Sequence, residues 1–173
     1  KISQYTRYTT ILLCIFQGVN TMRFVKTLLI TYFMSLSAFV QAAPSTLEID
    51  DNIQPKSSDR YIRAVHKEVE TNTDDLNKIR YAILEGMLTT KGFAWVYQGE
   101  GDGYILARFD YRGDTNVIRI EYNSSLVQLK YHDALGDYVC KTLIDDICYK
   151  NSRGYYNYIK NLRNSINKQL KGL

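Results

Sequence analysis

Between Phe93 and Tyr131 the chain carries four strand-like runs separated by turns too short for anything but hairpins. The runs are Phe93–Tyr97, Tyr104–Tyr111, Asn116–Tyr122 and Leu126–Tyr131, rich in aromatic and β-branched residues. Parallel neighbours need a long crossover, so connections of this length predict an antiparallel meander. Period-two alternation places Phe93 and Trp95, Ile105, Ala107 and Phe109, Ile118 and Ile120, and Val127 and Leu129 on one face. Arg108, Arg119, Glu121, Gln128 and Lys130 fall on the other. One face is expected to be buried and the other to meet water.

Helical spacing brackets these runs. Thr73 is a candidate cap, Asp74 and Asp75 suit the positive end of a helix dipole, and Leu76, Ile79, Ile83, Leu84 and Met87 recur at helical spacing up to Lys91-Gly92. At the other end, Asn151 or Ser152 can cap a helix with Tyr155, Tyr158, Ile159, Leu162, Ile166 and Leu170 as its apolar stripe. The predicted architecture is α+β: a four-stranded antiparallel meander with an N-terminal and a C-terminal helix packed on one face, in the order α-β-β-β-β-α, over residues 73–173. Residues 43–72 read as an extended linker, because Pro44 to Asp59 is polar with few apolar anchors, while Tyr61 to Val69 suits helix and strand equally.

The upstream segment has a different chemistry. Arg23 and Lys26 form a short positive region, Leu28 to Val40 an apolar one, and Val40-Gln41-Ala42 a small-residue cleavage site, so residues 22–42 read as a signal peptide cut after Ala42. The apolar run is shorter than the ~20 residues a spanning helix needs. Residues 1–21 read as an upstream or leader segment outside the fold. Export to the periplasm is expected, with secretion as the alternative. The formal charge of +4 belongs to this region, since Lys1, Arg7, Arg23 and Lys26 are four of the 22 bases and the remaining 18 balance 18 acids. A neutral mature chain argues against a nucleic-acid partner.

Cys140 and Cys148 are an even pair in an oxidising compartment, which favours a disulfide. A metal site is the weaker reading, because His66 and His132 are the sole histidines and neither lies at a ligand spacing from the pair. Closing a loop of about nine residues is worth roughly 2.5 kcal/mol by the chain-entropy estimate. Neither cofactor nor metal is expected. Gly99-Glu100-Gly101-Asp102-Gly103 sits between strands, without the strand-to-helix context of a phosphate loop, and reads as a hairpin turn. Arg112-Gly113-Asp114 and Asn123-Ser124-Ser125 are turn chemistry. Two histidines in different elements and no nucleophile elbow give no catalytic constellation. A non-enzymatic role is therefore expected.

Charge is polarised along the mature chain. Tyr149 to Leu173 holds six bases and no acid, with Lys160, Arg163, Lys168 and Lys171 on the polar side of the last helix. They form a candidate patch for an acidic protein or an anionic membrane surface.

The order and spacing of several stretches resemble a family of uncharacterised small exported proteins and lipoproteins of Gram-negative bacteria. They are Ile79-Arg80-Tyr81-Ala82-Ile83-Leu84 before Lys91-Gly92-Phe93, Gly103 to Phe109, Val117 to Tyr122, Tyr131-His132-Asp133, and Tyr155 with Tyr158-Ile159-Lys160-Asn161-Leu162. That family usually has Trp where this chain has Tyr158. Many of its members carry a lipid-anchoring Cys that is absent here, and Asp137 to Lys150 looks like a local elaboration. The resemblance implies fold and export, with no activity attached. It leaves a small interaction module of the cell envelope as the first expectation, and a peripheral membrane or lipopolysaccharide-binding protein as the second. The intact mass of the exported protein should correspond to a start at Ala43; a start elsewhere contradicts the processing site.

Overall fold

Short connections do produce the hairpins, and the chain adds elements around them. The computed structural model describes residues 43–50, 52, 53 and 56–173. The upstream segment 1–21 and the signal peptide 22–42 lie outside the described residues. The order is α1 (Lys56–His66), β1 (Val69–Glu70), α2 (Leu76–Leu88), β2 (Val96–Gly101), β3 (Tyr104–Tyr111), β4 (Asp114–Tyr122), β5 (Leu126–Leu135), a 3-10 turn (Gly136–Tyr138), β6 (Thr142–Ile144), β7 (Ile147–Lys150) and α3 (Arg153–Leu170).

The α+β class holds, but the four-stranded meander is extended at its β5 side into a five-stranded antiparallel sheet ordered β1-β5-β4-β3-β2. The added strand pairs Val69 with Val127 and Glu70 with Leu126. Two residues cannot display a period, which is why the sequence pattern missed them. A second sheet, β6 with β7, forms around the cysteine pair from strands of three and four residues, which are also too short to show a period. The segment expected as an extended linker also contains α1, whose Ile62 and Val65 are fully buried. Ile62 joins Leu47, Ile147 and Tyr149 in a small apolar cluster separate from the main core.

Local chemistry corrects several boundaries. Asp75, not Thr73, caps α2, accepting from Asn77 N at 3.0 Å and Lys78 N at 3.3 Å, while Thr73 Oγ1 accepts from Asp75 N. The helix stops at Leu88, short of Lys91-Gly92, where the Thr89 and Thr90 hydroxyls donate back to Glu85 O and Gly86 O. Trp95 N donates to Met87 O, so the chain before Val96 is tied to α2 and β2 begins later than Phe93. Gly99 to Gly101 belong to β2, which bulges between Tyr97 and Gly99, and the turn proper is Asp102-Gly103. Ser152 caps α3, accepting from Tyr155 N at 3.3 Å.

The main core lies between one sheet face and helices α2 and α3. Ile105, Ala107, Phe109, Ile118, Ile120, Val127 and Leu129 are buried there as alternation predicts, against Ile79, Ile83 and Met87 of α2 and Ile159, Leu162 and Ile166 of α3. Phe93, expected on the same face, is half exposed. Phe109 centres an aromatic group, with ring centroids 4.6 Å from Tyr158 and 5.3 Å from Trp95.

The polar face is not simply solvated. Glu121 and Gln128 are each 1% exposed. Glu121 pairs at 2.9 Å with both Arg119 and Lys130. Arg119 also reaches Asp146 at the tip of the β6–β7 hairpin. Gln128 accepts from Ser45 N and donates to the His66 carbonyl. Covering this face is affordable because every buried charge has an opposite partner.

The two core helices meet at Gly86. A Cβ there would lie 2.8 Å from Ile166 Cα and 2.9 Å from its backbone nitrogen, so α2 and α3 can approach this closely only without a side chain. Gly86→Val should force the helices apart and cost about 1–3 kcal/mol, measured by chemical denaturation; an unchanged midpoint would contradict this contact.

Candidate functional site

The sequence-selected residues end up in different roles. Cys140 and Cys148 are joined as a disulfide, with Cα atoms 5.8 Å apart, bridging the segment that enters β6 to β7. Cys148 is buried and its backbone N–H donates to His66 Nε2 at 3.3 Å. His66 Nδ1 lies 2.8 Å from Leu129 O on β5. A carbonyl only accepts and an amide only donates, so the ring is fixed as the neutral Nδ1–H tautomer. Burial, aided by the Lys130 charge, lowers its pKa from 6.5 to about 4 despite the Leu129 bond. Both ring nitrogens are committed to backbone, which removes His66 from acid–base or metal chemistry. His132 is exposed on β5. Among the described residues no group of three His, Cys, Asp or Glu side chains could hold a metal ion.

The basic patch separates into two parts. Lys160 and Lys168 are exposed on α3 and Lys171 is exposed at its C-cap, and Arg153, Asn157 and Asn164 continue the same stripe at helical spacing. Arg163 does not join it. Its Nε donates to Lys67 O at 2.7 Å and its terminal nitrogen to Glu68 O at 3.0 Å, so it clamps the chain that leaves α1. Burial lowers its pKa, which the nearby Glu68 opposes. The sequence placed Arg163 correctly on the polar side of the helix but could not show α1 packed beside it.

A surface the sequence did not single out lies at the β2 end of the sheet. β2 pairs only with β3, so its outer edge has no strand neighbour among the described residues. Beside it runs α2, whose Tyr81, Leu84 and Leu88 recur at helical spacing as a second apolar stripe. Tyr81 is 69% exposed, Leu88 67% and Val96 60%, and Tyr97 is also exposed. Between helix and strand is a groove of about 410 Å³ lined by Arg80, Leu84, Met87, Leu88, Trp95 and Tyr97. Arg80 closes it with a bidentate bond to Glu100, at 2.7 and 3.0 Å. The one signal in the sequence is that apolar residues occupy more of α2 than a single core-facing stripe requires. A second, shallower depression at the opposite sheet edge is lined by Glu70 of β1, Leu126 of β5 and the polar loop residues Thr71 to Asp74, Ser124 and Ser125.

Among the described residues no helix is long and apolar enough to cross a membrane. Comparison with protein-family models, curated proteins and solved structures finds no match to this chain.

The His66 geometry sets a pH dependence. Its folded pKa of about 4 lies below the unfolded 6.5, so the unfolded chain takes the proton first as pH falls. The stability is complete above pH 6.5 and about 3 kcal/mol of it should be lost between pH 6.5 and 4. His66→Gln should flatten that segment of the stability–pH curve; an identical slope in the variant would count against the assignment.

Proposed function

We propose that the protein is a small non-enzymatic interaction module, exported to the periplasm, that binds a protein partner through the flank formed by α2 and β2. The observation that carries this reading is the coincidence of two unmet requirements at one place. Among the described residues the edge of β2 has no strand neighbour for its backbone donors and acceptors, and the adjacent helix presents Tyr81 and Leu88 to water. Apolar side chains grouped beside a strand edge mark binding surfaces more often than incidental exposure does. The signal-like segment 22–42 and the resemblance to exported envelope proteins support the location. The commitment of both His66 nitrogens to backbone supports a binding role over a catalytic one.

A second reading rests on the α3 stripe. Arg153, Lys160, Lys168 and Lys171 project to solvent from a stretch without acids, which suits a lipopolysaccharide or anionic membrane surface. Because Arg163 is engaged with backbone, this reading depends on the other four cations.

A photo-crosslinking residue at position 97 tests the first reading in cells, with the same residue at position 160 as the comparison. A discrete protein adduct at 97 and none at 160 is expected. Adducts at 160 alone, together with flotation on anionic vesicles that is abolished by salt and by Lys160→Glu with Lys168→Glu, would transfer the function to the basic stripe.

A further inference from the structure

We infer that the occupant of the α2–β2 flank is a second copy of this chain, joined by antiparallel pairing of the two β2 strands about a two-fold axis. This rests on the reading of the flank as a protein-binding surface and names its partner. Both layers of the fold stop at this flank with chemistry that a copy of the same flank completes. In the sheet layer, β2 offers six residues of strand, Val96–Gly101, to a further strand. In the helix layer, Tyr81, Leu84 and Leu88 form an apolar stripe at the same flank. An isolated extended peptide satisfies the strand edge and leaves the helix stripe in water. A second copy supplies strand to strand and helix to helix at once, which is the self-complementarity of an isologous two-fold interface.

Charge points the same way. The single charged side chain of β2 is Glu100, and Arg80 of the same copy neutralises it. Two β2 strands can therefore meet without opposing like charges. An antiparallel arrangement lays the beginning of one strand against the end of the other. It carries the Tyr97 ring of each copy toward the Arg80–Glu100 pair of its mate, a guanidinium near an aromatic face. The strand also lacks the devices that keep edges apart: it has no Pro and no Lys, and its one irregularity is the bulge at Tyr97 and Gly99. The apolar groove then closes over Leu84, Leu88 and Tyr97 from both sides.

Sedimentation equilibrium of the purified protein tests this, followed by crosslinking through a photoreactive residue at position 97 in an equal mixture of isotopically heavy and light chains. The expected result is a dimer with heavy–light adducts that map to α2 and β2. Val96→Lys should weaken the dimer at least about tenfold, because it places a lysine at the start of each paired edge, a device that opposes edge-to-edge association. Leu88→Lys should do the same through the helix layer. Val96 and Leu88 are both mostly exposed, so thermal unfolding of the variants verifies that the monomer fold persists. Lys160→Glu should leave the dimer intact. A monomer at ~100 μM overturns the inference, as does a dimer insensitive to both lysine substitutions. A monomer whose position 97 still crosslinks to another protein in cells overturns the second copy and keeps the binding flank; no adduct in either experiment overturns both.

Discussion

Strand β5 has one complete neighbour, β4, and its other edge has to be closed by unrelated pieces of chain. Three of them share the task. β1 pairs with Leu126 and Val127, the His66 ring holds Leu129 O, and Tyr131 N donates to Asp146 O at the hairpin tip. None of them is a full strand: they are a two-residue strand, the imidazole at the end of α1 and the tip of a hairpin. Unpaired strand edges invite association, and buried unpaired backbone is costly, so this closure positions much of the rest. It places α1 against α3 and β7, sets the disulfide behind His66, and explains why Arg163 reaches across to carbonyls just beyond α1.

The contrast with the far side of the sheet gives the molecule its asymmetry. The β5 edge is covered by β1, an imidazole and a hairpin carbonyl, whereas among the described residues the β2 edge has no strand neighbour and is bordered by α2 and the groove beneath it. One sheet therefore has a structural edge and an available one. The basic stripe of α3 is a separate chemistry again, set apart from the apolar core by the helix's own periodicity.

What could be read in the sequence follows from how far each signal extends. The inner strands carry several cycles of alternation, and residues such as Ile105, Ile118 and Leu129 occupy the predicted face. The disulfide was legible from Cys140 and Cys148 as an even pair in a chain expected to be exported. Elements specified by contacts distant in sequence were not legible: β1 exists through Val127, and α1 is held by Leu129 and Arg163. Glu121 looked like a solvated residue because its partners Arg119 and Lys130 sit on two strands and its cover comes from yet another segment. The candidate flank left a partial trace, since Tyr81, Leu84 and Leu88 exceed what one buried stripe needs, but which side of α2 would lie at an edge depends on strand order.

Pro44 is buried and Ser45 N donates to Gln128, whose side chain is itself covered and also bonded to the His66 carbonyl. The start of the domain is thus a built part of the sheet's polar face and not a tether. Removing it would strip a buried amide of one of its partners, so a domain trimmed past Ser45 would open that face to water from within.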